Sequence, residues 1–307
     1  MPRSGLVASA AEMRALLPPR PEEASKRDFG SVLCVAGSVN YRGAACLCSV
    51  AALRSGAGYA TVACPGPVAS SLAALIPDLV LLPLRVRRGV SSPDSWRLVD
   101  RVLPRHTAVV VGPGLGSLAR GVADVVPFAR RVVARVAALG LPLVLDADGI
   151  NVLARLMRAR RPIRLPARTV LTPHEGELAR VLGVEPAAVR SDRPGAALEA
   201  AGLLGAVVVL KGPRTLIASG SSLFANPTGS VALAKAGTGD VLAGIVAGFL
   251  AQGLDPLGAA RLGAYVHGLA GDVGRERRGA RGLLASEVAG FVPDALARLA
   301  GDASIPR

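Results

Sequence analysis

The sequence predicts an α/β protein: a mostly parallel central sheet covered on both faces by helices. Three observations carry this reading. From residue 30 onward, short β-branched runs alternate with Ala/Leu/Arg-rich helical stretches. The runs are apolar throughout rather than alternating apolar and polar, as strands buried on both faces must be. The Gly-rich and charged segments fall directly after the runs, where open parallel sheets bind ligands beyond their carboxyl ends.

Taken in order, residues 32–36 read as the first strand, followed by a Gly-bounded loop and a helix over 44–55. The strand signal returns at 59–63, 108–111, 143–145, 169–171 and 207–210. Long Ala/Arg/Leu stretches such as 122–139 separate the runs, and 150–157 reads as a shorter helix. Three helices are expected to close the chain, over 240–252, 256–272 and 286–299. No internal repeat or low-complexity linker interrupts the pattern, so one domain is expected over residues 25–307. Residues 1–24, with Pro18, Pro19 and Pro21, read as a short N-terminal arm.

Composition bounds the function. With 307 residues, 51% of them hydrophobic, the chain is too apolar to be disordered, and 36 Gly and 23 Pro exclude a coiled coil. The longest mostly apolar stretch, 241–254, falls short of the ~20 residues that a spanning helix needs. No charged-then-apolar leader opens the sequence, so a soluble cytoplasmic protein without a membrane partner is expected. The net charge is +14, with 36 Lys and Arg against 22 Asp and Glu, and only Lys26, Lys211 and Lys235 are lysines. Such a balance attracts polyanions, phosphorylated small molecules included. The arginines are spread along the chain without interleaved aromatics, which argues against nucleic acid as the partner. Cys34, Cys46, Cys48 and Cys64 form no C-x-x-C pair, and with three histidines they build no zinc site; they read as small buried residues in a reducing compartment.

Five strand-end loops carry candidate chemistry. Gly237-Thr238-Gly239-Asp240 opens an apolar helix, so free amides at the positive end of the dipole suit a phosphate or a developing oxyanion. Asp240 is placed either to take a proton from a substrate hydroxyl or simply to cap the helix. Lys211-Gly212-Pro213-Arg214-Thr215 follows a buried strand and suits a nucleotide phosphate or ribose, although it lacks Walker spacing and reads equally as a β-turn with a solvated Lys. Thr172-Pro173-His174-Glu175 resembles a capping box, with His174 free to bond a polar substrate or to sit on the surface. Gly112-Pro113-Gly114-Leu115-Gly116 is not a dinucleotide fingerprint, but it permits close approach to a ligand. Asp146-Ala147-Asp148 either holds Mg²⁺ through water or caps the next helix. A small residue at Ala44, after Gly37-Ser38 and Tyr41, leaves room for a flat ring. His106 and His267 have no chemical neighbours in sequence and read as structural.

In their order, these segments closely resemble the NAD(P)H-hydrate dehydratase family, the carbohydrate-kinase-like domain of the ribokinase-like superfamily. The resemblance starts at Ser25-Lys26-Arg27-Asp28-Phe29-Gly30 and runs to the last helices. It includes Ala51-Ala52-Leu53-Arg54-Ser55-Gly56-Ala57-Gly58 as well as the loops above. It implies a ribokinase-like three-layer α/β/α sandwich and a lyase that repairs metabolites, dehydrating (S)-NADHX or (S)-NADPHX at the expense of ADP or ATP. The nucleotide would be ADP, as in most prokaryotic members, with AMP and phosphate as products. It implies Asp240 as catalytic base facing the C6 hydroxyl, with the amides around Gly237, Thr238 and Gly239 holding the transferring phosphoryl. By family position, Lys211, Gly212, Pro213, Arg214, Thr215 and Gly239 would contact ADP or AMP, and Ala44, Gly114, His174 and Asp240 the hydrated dinucleotide. Mg²⁺ as cofactor, with ligands unassigned, and a homotetramer are implied as well.

This sequence departs from the family pattern at Ala45, where Pro is frequent, in the run 229–234 before the signature, and at Ala236, where many members carry Gly. Alanine resists positive φ, so the phosphate loop is where a change of geometry is expected. The N-terminal epimerase domain of many relatives has no counterpart in the residues before Ser25, so epimerase activity is not expected of this chain. The alternatives are a kinase of the same superfamily acting on a small alcohol such as a hydroxyethylthiazole, and a non-catalytic basic protein that binds nucleotide or nucleic acid.

Overall fold

The computed structural model describes residues 6–116, 124–161 and 163–301. The strands are β1 (Leu6–Val7), β2 (Ser31–Val35), β3 (Tyr59–Pro65), β4 (Val80–Leu84), β5 (Val86–Arg87), β6 (Val90–Ser91), β7 (Ala108–Val111), β8 (Leu143–Leu145), β9 (Thr169–Leu171), β10 (Val207–Leu210), β11 (Leu216–Ser219) and β12 (Ser222–Ala225). Ten of them form one sheet in the order β1-β12-β11-β10-β9-β8-β7-β2-β3-β4, and β5 and β6 pair separately. Every pairing from β10 through β9, β8, β7, β2 and β3 to β4 is parallel; β11 alone runs against its neighbours. The carboxyl ends of the central strands therefore share one edge.

Period-two geometry makes the three layers. All five residues of β2 are buried. Val32 and Cys34 face a core with Val110, Val144 and Val170, closed by the helices Arg42–Arg54, Thr238–Ala251 and Pro256–Arg278. Leu33 and Val35 face the opposite core with Val109, Val111, Leu143 and Leu145, under the helices Val126–Ala138 and Asp148–Arg158. With both faces covered, no polar alternation survives, which is why the runs are continuously apolar.

The helix Thr238–Ala251 is buried from Val241 to Ala251 because it lies between the sheet and Arg42–Arg54. Gly244 and Gly248, one turn apart, let the two helices touch: a Cβ at Gly244 would overlap the Cys48 carbonyl, and one at Gly248 would overlap Ser55 Oγ. Gly244→Ala is expected to cost about 3 kcal/mol or more, since backbone and not a flexible side chain must move. The check is a denaturant melt with an unchanged m-value; a loss under about 1 kcal/mol would show that the helices separate freely.

Several expectations change in detail. The predicted helix 286–299 is two helices, Ala285–Gly290 and Val292–Ala300, because Pro293 has no N–H to give the Ala289 carbonyl. The helix predicted over 256–272 continues to Arg278. That predicted over 122–139 is seen as Val126–Ala138, residues 122 and 123 lying outside the described ones. Strand β4 and the β11–β12 hairpin were not anticipated. At the amino end, β1 pairs in parallel with β12, and Met13 on the helix Ala10–Ala15 is fully buried.

Candidate active site

The loops after β2, β7, β8, β9 and β10 all emerge on the shared carboxyl edge, facing the amino end of the helix Thr238–Ala251. Gly237 is the N-cap of that helix at φ 93°, a left-handed value that suits Gly, and no side chain caps the helix. Ala236 has no positive φ, so the Gly-to-Ala departure next to it requires no strain. Thr238 turns inward and donates from Oγ1 to the Leu233 and Lys235 carbonyls, both at 2.9 Å, which fixes the loop leading into the helix. Asp240 lies in the first turn and accepts no hydrogen bond among the described residues, so capping does not account for it.

On one side of this helix end is a cavity of about 500 Å³, walled by Lys211, Gly212, Pro213, Arg214, Thr215, Thr238 and Gly239. The loop from Lys211 to Thr215 is shaped by φ 140° at Gly212 and by Arg214, a non-Gly residue at φ 51°. The far wall comes from Asn226, Thr228, Gly229, Ser230 and Gly268, together with His267. His267 lines the cavity; burial pushes it down to about 4, so it is neutral at physiological pH. His106, by contrast, is held inside the fold, with Nδ1 2.9 Å from the Val102 carbonyl and Nε2 2.9 Å from Thr61 Oγ1.

A charged cluster occupies the centre. Lys211 Nζ donates to Asp146 Oδ1 at 2.8 Å and lies 3.7 Å from Glu177 Oε2. Its amine also sits against Gly239, where a Cβ would come within 3.2 Å of Nζ. Burial alone would lower the Lys211 pKa, but the Asp146 and Glu177 carboxylates outweigh it and hold the ammonium above its ordinary value. Asp146, 1% exposed, also accepts from Thr172 Oγ1 at 2.7 Å. Asp240 responds oppositely: burial, then the Asp146 charge, raise it to about 7, with Lys211 pulling the other way. The site therefore holds a carboxyl group that titrates near neutrality beside a permanent cation, as a base working at pH 7 requires.

The anticipated capping box is displaced by two residues. His174, not Thr172, is the N-cap of the helix Glu175–Leu182: its Nδ1 accepts from Gly176 N at 3.0 Å and Glu177 N at 3.3 Å, while Glu177 Oε2 accepts from His174 N at 2.8 Å. Thr172 is spent on Asp146. Because Nδ1 is an acceptor, the ring proton sits on Nε2, which lies 3.4 Å from Glu177 Oε1 on a half-exposed ring. Burial lowers the pKa of His174, which favours the same neutral form.

Between β2 and β7 the chain reverses its winding, the switch point at which open α/β sheets bind ligands. Gly37 N donates to the Pro113 carbonyl at 2.8 Å and joins the loops after β2 and β7. Gly114, at φ 62°, packs so closely that a Cβ would come 2.8 Å from Ala44 Cβ and from Tyr41 Cβ, so the structure brings Ala44 and Gly114 together. Asp148 Oδ2 accepts from Gly116 N at 2.6 Å and tethers this loop to β8. Ala147, at φ 47° and ψ −115°, sits between the two carboxylates and turns them to different partners. No side-chain bond among the described residues caps the helix Asp148–Arg158 at its N-cap. Among the described residues no group of three or more His, Cys, Asp or Glu is arranged to hold a metal ion.

The sequence alone does not show that Glu177 meets Lys211 or that Asn226 and Thr228 stand at the far cavity wall. Glu177 was masked by its role as the third residue of a capped helix. The wall comes from the Asn226-Pro227-Thr228-Gly229 turn, whose Asn and Gly are a turn signal that could have been found. Asn226 Nδ2 and Thr228 Oγ1 bond the Ala264 and Tyr265 carbonyls at 3.1 and 2.8 Å, which clamps the turn to the helix Pro256–Arg278.

Comparison with known proteins agrees with this geometry. A crystal structure of the ADP/ATP-dependent NAD(P)H-hydrate dehydratase from Bacillus subtilis, co-crystallised with ATP/Mg²⁺, superposes with a TM-score of 0.81 at 30% identity, covering 97% of this chain and 99% of that one. A hydroxyethylthiazole kinase from Pyrococcus horikoshii matches with a TM-score of 0.61 at 16% identity over 94% of this chain and 95% of that one, and so shares the fold alone. The ADP-dependent (S)-NAD(P)H-hydrate dehydratase of Neisseria meningitidis is 36% identical over 88% of this chain and 86% of that protein. The bifunctional NAD(P)H-hydrate repair enzyme Nnr of Thermofilum pendens is 39% identical over 93% of this chain and 53% of that protein. The chain spans about half the length of Nnr proteins of this kind. The family described as NAD(P)H-hydrate dehydratase matches residues 32–293. With a ribokinase-like sheet, a Gly-opened helix and a match over most of its length, the chain belongs to the NAD(P)H-hydrate dehydratase family.

Proposed function

We propose that this chain is an ADP-dependent (S)-NAD(P)H-hydrate dehydratase, restoring NADH or NADPH from the hydrated cofactor with release of AMP and phosphate. The observation that carries the reading is Asp240, titrating near 7 at a helix end that no side chain caps, with Lys211 and a cavity walled by Thr238 and Gly239 at that same end. On this reading ADP lies along Lys211, Gly212, Pro213, Arg214, Thr215 and Gly239. The hydrated nicotinamide lies against Ala44 and Gly114, with His174 Nε2–H donating to a polar atom of it. Asp240 takes the proton of the C6 hydroxyl as that oxygen attacks the terminal phosphorus of ADP, and AMP leaves. The amides of Gly237, Thr238 and Gly239 hold the migrating phosphoryl. The N1 lone pair then expels phosphate from C6, and loss of a C5 proton restores the dihydropyridine. Phosphorylation is needed because hydroxide is a poor leaving group.

A magnesium ion, when it accompanies the nucleotide, neutralises phosphate charge. A cytoplasmic setting and a homotetrameric assembly belong to the same proposal; among the described residues no helix is long and apolar enough to cross a membrane. The test is incubation with NADHX or NADPHX and either ADP or ATP, following the absorbance of reduced nicotinamide. Recovery with ADP is the expected result. Nucleotide turnover only with added small alcohols would replace this reading by the kinase, and binding without turnover by the non-catalytic protein.

A further inference from the structure

We propose that Arg193 is a positioning residue for the nucleotide loop, pinning its carbonyls from behind so that the loop meets a nucleotide phosphate with its N–H side. The inference rests on the reading of residues 211–215 as the nucleotide contact. Arg193 opens the helix Arg193–Leu204, held in place by Asp192, whose side chain accepts from Gly195 N at 2.9 Å. Its Nη1 donates to the Pro213 carbonyl at 2.6 Å, and its Nη2 lies 3.2 Å from the Lys211 carbonyl and 3.4 Å from that of Leu210. Nε lies 3.3 Å from Glu175 Oε1, so the same side chain ties the loop after β10 to the helix that follows β9.

Gly212 makes this possible. At φ 140°, a Cβ there would stand 2.7 Å from Nη2, so any side chain would push the guanidinium out. The fork geometry matters as much as the charge: three carbonyls spread over four residues need several donors in one plane, which an ammonium on a flexible stem does not present. The electrostatic consequence is direct. Carbonyl oxygens repel phosphate; turned toward a guanidinium they are neutralised, and a fixed positive charge stands behind the loop.

The test compares wild type with Arg193→Lys and Arg193→Gln. ADP affinity is measured by calorimetry, amide exchange of residues 211–215 is followed with and without ADP, and steady-state kinetics are run on the same preparations. Both variants are expected to bind ADP about tenfold or more weakly and to raise KM for ADP. Their kcat should hold within about threefold. The loop amides should exchange faster in the ADP-free variants, and Lys should rescue only part of the affinity. If ADP protects the loop in wild type but both variants bind it within about twofold of wild type, Arg193 has no positioning role. If ADP leaves the loop unprotected in wild type, the nucleotide reading of this loop fails and the proposal fails with it. A fall in thermal midpoint with unchanged ADP affinity in the folded fraction would make Arg193 purely structural and overturn it too.

Discussion

Asp240→Asn is expected to lower kcat by about 10³-fold while the protein still binds ADP. The size follows from the assigned role: an amide of the same shape fills the position but takes no proton. The same substitution is expected to stabilise the protein above neutral pH, and that pairing of effects is diagnostic. Burial and the Asp146 charge raise the Asp240 carboxyl from its ordinary value of 3.8 to about 7. The folded state therefore holds a proton that the unfolded chain has released, and stability is lost as pH rises from about 4 to about 7. Asn carries no such cost. The variant should melt several degrees higher than wild type at pH 8, and the gap should close below pH 4. In the wild type, kcat/KM should rise with pH through an apparent pKa near 7, because only the ionised carboxylate acts as base. Full activity in Asp240→Asn would remove this residue from the mechanism, and an unshifted melting curve at pH 8 would mean that the carboxyl is not held protonated by its surroundings.

Lys211→Met is expected to cost both activity and stability. Lys211 pairs with Asp146 at 2.8 Å, and Asp146 is only 1% exposed. Removing the cation strands a buried carboxylate, which costs about 3–5 kcal/mol in comparable pairs. The double variant Asp146→Asn with Lys211→Met should recover most of that stability, since neither charge is then left unpaired, yet it should recover no turnover, because the phosphoryl being transferred has lost its cation. Loss of Lys211 also removes the positive charge that pulls Asp240 downward, so any residual activity of the single variant should rise with pH at a higher apparent pKa than in wild type. Urea melts of the four proteins of the cycle and their kcat values decide it: additive stability losses would mean that Lys211 and Asp146 are not energetically coupled.

Much of the site was already legible in the order of residues. Lys211, His174, Gly114 and the segment 237–240 each follow a buried run or open an apolar helix, so their placement on the carboxyl edge needed only the strand assignment. The cap at His174 was harder. Thr172 has the better side chain for an N-cap, and it lost the role because Asp146, 26 residues earlier, holds its hydroxyl. Ala236 shows a local rule applied to the wrong residue, since the positive φ of the loop is carried by Gly237. His267, unremarkable in sequence, reaches the cavity only because the helix Pro256–Arg278 lies beneath the turn at Asn226 and Thr228.

The sequence by itself determined the parallel α/β class, the positions of the strand-end loops and the acid at the helix mouth, because apolar periodicity, glycine placement and dipole-end chemistry are local properties. Only the tertiary structure decided that Asp146 and Glu177 close on Lys211, that a nucleotide-sized cavity opens at Thr238 and Gly239 beside Asp240, and that Arg193 reaches the carbonyls of Leu210, Lys211 and Pro213. Those contacts join residues far apart in the chain, and they depend on the strand order and on which strands leave the sheet side by side, which no local pattern encodes.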